Sequence, residues 1–110
     1  MATTYKVLGQ SAPANTSEAT LYTVPASTQT VVSTITVSNI TSSSANANIN
    51  ICVNGAASSN ANSLLKSVAI PGNTTASFTL GITLGAADLI RITSGTANAL
   101  SFQAFGSEIS

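Results

Sequence analysis

A chain of 110 residues is long enough for one domain with a core of its own. Only 5% of its residues are charged, against about 25% in soluble domains, while 44% are hydrophobic and the formal net charge is zero. Three basic side chains cannot neutralise a nucleic-acid backbone or grip an anionic membrane, the mean hydropathy of +0.37 opposes disorder, and the absence of histidine removes Ser–His and Cys–His nucleophile pairs.

Residues 1–4 read as a light polar arm that orders on assembly. Tyr5–Gln10 spells a first strand, free to pair with its own sheet or with a neighbouring subunit. Ser11–Ala19 is a loop marked by Pro13, and Thr20–Val24 is a second strand stopped by Pro25, which has no ladder N–H to give. After a turn at Pro25–Thr28, Thr30–Asn39 is a long strand, with Val31, Ile35 and Val37 expected on one face and Thr34, Thr36 and Ser38 on the other.

Ala45–Val53 alternates more strictly. Ala45, Ala47, Ile49, Ile51 and Val53 are predicted inward and Asn46, Asn48 and Asn50 outward. Asn is a poor strand former, so three in register are either a solvated face or a row of amides offered to another surface. Asn54-Gly55 is a hairpin-type dipeptide, and Ala56–Asn62 reads as a small, polar, mobile loop. Leu64–Ile70 is the next strand, ended by the turn Pro71-Gly72-Asn73. Ala76–Leu84 follows, with Phe78, Leu80, Ile82 and Leu84 on alternate positions, the stretch that looks central to the core. Leu89–Ser94 places Ile90 and Ile92 inward and Arg91 outward. Ala99–Phe105 places Leu100, Phe102 and Ala104 inward, and residues 106–110 read as a tail.

About eight short strands with no helix-period segment predict an all-β protein, an antiparallel β-sandwich of jelly-roll or Ig-like type, as a single domain over residues 1–110.

The side chains that carry chemistry are few. Glu18, Asp88 and Glu108 are the only carboxylates and lie far apart in sequence, and a lone Cys52 can make neither an intrachain disulfide nor a zinc site. Cys52 reads as a small buried hydrophobe. No catalytic residue, metal site or cofactor is indicated. Asp88 before L-I-R-I reads as a turn cap or as an ion-pair partner of Arg91, with an interface anchor as the alternative. Tyr5 and Tyr22 are candidate interface aromatics, with core or rim the competing place for Tyr22. Asn46, Asn48, Asn50 and Arg91 complete the candidate contact set. The three N-x-S/T triplets, at Asn15, Asn39 and Asn73, are what chance gives in a Ser/Thr-rich chain.

The stretches T-L-Y-T-V-P-A (Thr20–Ala26) and V-V-S-T-I-T-V-S-N (Val31–Asn39) resemble a group of small tailed-phage virion proteins, common among phages of cyanobacteria and marine bacteria. Y-K-V-L-G-Q-S-A-P (Tyr5–Pro13), L-G-I-T-L (Leu80–Leu84) and F-G-S-E-I (Phe105–Ile109) are similar too, so the likeness covers nearly the whole chain at the level of strand, turn, strand. The resemblance implies a β-sandwich structural protein of the virion with no catalytic residues. Its expected role is a capsid decoration (cement) protein, and the alternative is a module of the neck, tail or fibre. It further implies a major capsid protein or another virion protein as partner, a homo-oligomer with a trimer favoured, synthesis in the host cytoplasm and a final place on the capsid surface. A host-glycan-binding module is the weaker alternative, because the chain has no Trp and 5% aromatic residues to stack on sugars.

Overall fold

In the computed structural model, which describes residues 2–110, the chain is all-β and forms two four-stranded antiparallel sheets packed face to face. The strands are β1 (Thr3–Ser11), β2 (Ala19–Thr23), β3 (Gln29–Asn39), β4 (Ala45–Cys52), β5 (Ser63–Ile70), β6 (Thr75–Leu84), β7 (Leu89–Ser94) and β8 (Leu100–Ile109). One sheet runs β1-β8-β3-β6 and the other β2-β7-β4-β5. β4 pairs with β5, β3 with β6, β2 with β7 and β1 with β8. That is one long hairpin, folded at the β4–β5 connection and rolled so that successive pairs fall in alternate sheets. It is the jelly-roll order, not the Ig order.

The two ends of the chain close the roll. Thr3 faces Ile109, Thr4 faces Glu108, and Ala2 and Ser110 exchange both backbone hydrogen bonds at 2.8 and 2.9 Å. The predicted arm (1–4) and tail (106–110) are therefore corrected to strand from residue 3 to residue 109, while Met1 lies outside the described residues. Each terminal segment supplies the ladder partners that the other needs, and a pairing across the whole length of the chain has no local signature.

Alternation puts Val32, Ile35, Val37, Ile49, Ile70, Ile90, Ile92, Leu100 and Phe102 between the sheets, each almost wholly buried. Each such side chain contributes roughly 1.5–3 kcal/mol on burial. Ile90, Ile92, Leu100, Phe102 and Ala104 lie where their spacing predicts.

Strand β6, by contrast, is an edge strand rather than the centre of the sheet. Leu84 is buried and Phe78 and Ile82 are half-buried, but Leu80 is 48% exposed. The cause is a bulge. Val32 faces Ile82 and Thr34 faces Thr79, so Ser33 stands opposite both Leu80 and Gly81, and Gly81 takes a φ of +63° that a side chain would resist. The irregularity crosses the whole sheet. β3 has Ser33 in excess between the partners of Gly106 and Phe105, and β1 has Leu8 in excess between the partners of Phe105 and Ala104. Strand phase changes along that line. Thr30 and Val32 face inward on one side of it and Ile35 and Val37 on the other, so Val31 turns outward, against the expected Val31, Ile35, Val37 face.

In β4 the alternation holds through Ala45, Ala47 and Ile49. Ile51 is half-buried at the end of the sandwich, Val53 is exposed, and Cys52 is buried on the opposite face, the one that carries Asn50. Asn54-Gly55 does not make a two-residue hairpin. Both residues have positive φ inside a 3-10 turn, Val53–Gly55, and the connection then folds back over the sheet through a second such turn, Asn60–Asn62.

Candidate functional site

The outer face of the β2-β7-β4-β5 sheet carries most of the polar side chains singled out in the sequence, and it uses them internally. Asn48 accepts the backbone N–H of Ser67 at 2.8 Å, where β5 kinks through a φ of +52°. Asn50 donates to the Ser59 carbonyl at 3.2 Å and to Asn62 Oδ1 at 2.8 Å. Arg91 donates from Nη1 to the Ala56 carbonyl at 2.7 Å and lies 3.6 Å from Cys52 Sγ, with its Nε 3.9 Å from Glu18. Ser58 donates to the same Glu18 carboxylate. Asn62 reaches the Ala57 carbonyl at 3.0 Å. The loop read as mobile is thus tied down at five residues and roofs Cys52.

Asp88 accepts the N–H groups of Gly85 and Asn54, both at 2.8 Å, so the turn-cap reading describes it and Arg91 pairs with Glu18 instead. Of the amide row, Asn46 alone stands exposed, beside the Gly95 turn. Asn48, Asn50 and Arg91 are half-buried and make these hydrogen bonds within their own chain. A groove of about 210 Å³ between Asn48, Asn50, Asn60, Lys66 and Thr93 is lined by these same groups, with Lys66 already bonded to Asn60 at 2.7 Å and no aromatic ring on which a sugar could stack.

Tyr22 likewise bonds within its own chain. It is buried, and its hydroxyl accepts from Thr30 at 2.8 Å and donates to Glu108 at 2.5 Å. Lys6 completes the cluster 3.2 Å from the other Glu108 oxygen. Burial pushes the Tyr22 phenol up to about 12, helped by the carboxylate that its proton must face. The hydrogen bond from Tyr22 holds the Glu108 carboxyl below its ordinary value, against a smaller effect of burial, and Lys6 adds to the lowering. The cluster ties β1, β2, β3 and β8 together inside one end of the sandwich. Its members are 86 and 102 residues apart in sequence, which is why neither Glu108 nor Thr30 stood out there.

Tyr5 is the one aromatic candidate left open, at 84% exposure. It lies on the outer face of the β1-β8-β3-β6 sheet. Tyr5, Ser107, Val31 and Thr83 are in register across the four strands, and Val7, Phe105, Thr34 and Thr79 make the next row. Val7 is 47% exposed, and Val31 and Phe105 are half-buried around a shallow groove of about 550 Å³. Beyond the bulge line the outward residues are Gln10, Gln103, Thr36, Ser38, Ser77 and Thr75, with Ser38 and Thr75 bonded at 2.9 Å and Gln10 and Gln103 at 3.2 Å. None of these outward residues is charged. The apolar end was missed because its members come from three strands. Only Tyr5 and Val7 share a strand.

Among the described residues no three His, Cys, Asp or Glu side chains converge into a metal-holding group. No protein family, no curated protein and no solved structure matches the chain.

Proposed function

We propose that this chain is a non-enzymatic structural protein of a phage virion, a decoration protein that binds the head shell and bridges adjacent capsid subunits. The observation that carries this reading is the outer face of the β1-β8-β3-β6 sheet, uncharged, apolar at one end and hydroxyl-bearing over the rest. It forms a broad side of a body measuring 45 × 26 × 21 Å, larger than the roughly 800 Å² per partner of a standard interface. The sequence resemblance supports the virion, and the spread of modest contacts over repeated shell subunits supplies avidity.

The experiment is a titration of purified protein onto shells that lack it. Bound protein should raise the melting temperature of the shell, and an absence of binding at micromolar concentration would end the proposal. Copy number separates this role from the neck, tail or fibre alternative. Decoration gives a number comparable with that of the shell subunit, whereas a tail or neck module gives one small ring.

A further inference from the structure

We infer that the free edge of β1, from Thr3 to Val7, pairs with the same edge of a second copy across a two-fold axis, joining two sheets into one of eight strands. The inference deepens the decoration reading by naming the contact between copies, and it rests on that reading for its biological use.

The geometry comes from the termini. Ala2 and Ser110 exchange both backbone hydrogen bonds, so they form a hydrogen-bonded pair of the β1–β8 ladder. Register is regular from Thr3↔Ile109 to Val7↔Phe105, and hydrogen-bonded pairs alternate with open ones in antiparallel sheets. Thr4 and Lys6 therefore point their backbone groups at β8, while Thr3, Tyr5 and Val7 point theirs away from the sheet. An antiparallel partner centred on Tyr5 sets Tyr5 against Tyr5 and Thr3 against Val7. Every outward N–H and C=O of the segment then finds a partner. The side chains of these three residues share the outer face, so the same register covers the most exposed aromatic of the chain and Val7.

The other edges are less suited. β2 has five residues, with a shift between Thr20 and Tyr22 and Pro25 close behind. β5 has two register shifts against β4, a positive φ at Ser67 and an exposed Lys66. β6 is regular from Thr75 to Thr79, but its outward side chains there are hydroxyls, which bring no apolar cover. Charge points to a second copy as the occupant. A two-fold contact sets each side chain near its own image, so a charged edge would repel itself. The one charge on β1, Lys6, turns to Glu108 of its own chain at 3.2 Å.

Sedimentation velocity on purified protein tests the inference, with circular dichroism and melting curves to verify folding. The wild type should sediment at twice the 10.9 kDa of one chain. Tyr5→Pro removes an outward N–H and the exposed ring, leaves the β8 ladder intact and should give a folded monomer. Tyr5→Lys places like charges against each other and should weaken dimerisation about tenfold or more at low salt, with recovery at high salt. A monomeric wild type at micromolar concentration, a three-fold or open-ended assembly, or dimers that survive both substitutions would overturn the inference. Shell titration reads the other proposal separately. A dimer that never binds shells defeats the decoration role alone, and a monomer that binds them defeats the edge contact alone.

Discussion

The two outer faces of this sandwich are written in the same small polar alphabet and end up in opposite states. On the β2-β7-β4-β5 sheet, Asn50, Arg91, Glu18 and Asp88 are spent on the chain's own loops and Asn48 on the kink of β5. On the β1-β8-β3-β6 sheet the side-chain bonds of the outward Thr, Ser and Gln run to each other or, for Ser33, to the Phe105 carbonyl of the same sheet, and Tyr5, Val7 and Leu80 stand open. Polar residue type does not separate an open face from a self-satisfied one. What separates them is whether a loop folds back. The 53–62 connection has enough length and enough acceptors to absorb an arginine and an asparagine of the sheet. The other connections cross from one sheet to the other in four to seven residues.

The largest expected loss belongs to neither face. Phe102→Ala opens a cavity between the sheets under both, where Phe102 is wholly buried, and should lower stability by about 3–5 kcal/mol in denaturant unfolding. A loss under about 1 kcal/mol would mean that the sheets are not packed through this ring. The next effect is confined to one face. Arg91→Ala removes the donor that holds Ala56 and leaves Glu18 without its cation, and should cost about 2 kcal/mol. Its specific sign is exposure of Cys52, buried in the wild type, to a thiol reagent. If Cys52 labels no faster in Arg91→Ala, the loop is held by something other than this side chain.

The sequence reaches the fold class because eight alternating segments separated by Pro, Gly and Asn leave few other architectures. It reaches the inward faces of β7 and β8 because those strands carry no excess residue on the stretch that was read. It fails at Val31, Leu80 and the ends of the chain for one reason. The bulges at Leu8, Ser33 and Leu80–Gly81 are answers of one strand to its neighbours, and the pairing of residues 3–7 with 105–109 spans the entire roll. Ser33 has the same spelling whether or not the strand skips there. The candidate contacts fare likewise. Tyr5 stands exposed, whereas the partners that consume Tyr22, Asn48, Asn50 and Arg91 lie between 8 and 86 residues away.

The Tyr22 cluster sharpens the contrast from inside the sandwich. Tyr22→Phe keeps the ring but removes the donor to Glu108, and should cost about 1.5 kcal/mol at neutral pH. The wild-type contribution has two limits. The phenol is ordinarily at 10.0 and is raised to about 12 in the fold, so the neutral form is favoured and its share of stability is lost between those values as pH rises. The Glu108 carboxyl is lowered, so its share is present above the ordinary value of 4.5 and is lost as pH falls through the folded-state value. Tyr22→Phe removes the alkaline loss and the chief cause of the carboxyl's lowering. Its curve of stability against pH should therefore be lower in the middle and flatter at both ends. Carbon-detected titration of Glu108 checks the acid limb, where an unmoved carboxyl would show that Lys6 alone sets it.

The smallest effect on stability falls on the open face, and its smallness is what gives it value. Val7→Ser changes a side chain that is 47% exposed and touches little of the core, so the melting curve of the isolated chain at low concentration should shift by no more than about 0.5 kcal/mol. Polar substitutions that leave a fold alone yet weaken association mark a surface whose apolar groups are kept for a neighbour. Val7→Ser should therefore reduce self-association or shell binding while Thr36→Ser, on the same sheet beyond the bulge line, leaves both unchanged. Equal losses from the two would mean that contact is spread over the whole sheet. A Val7→Ser protein that unfolds early yet associates normally would place Val7 in the core and return the open face to solvent.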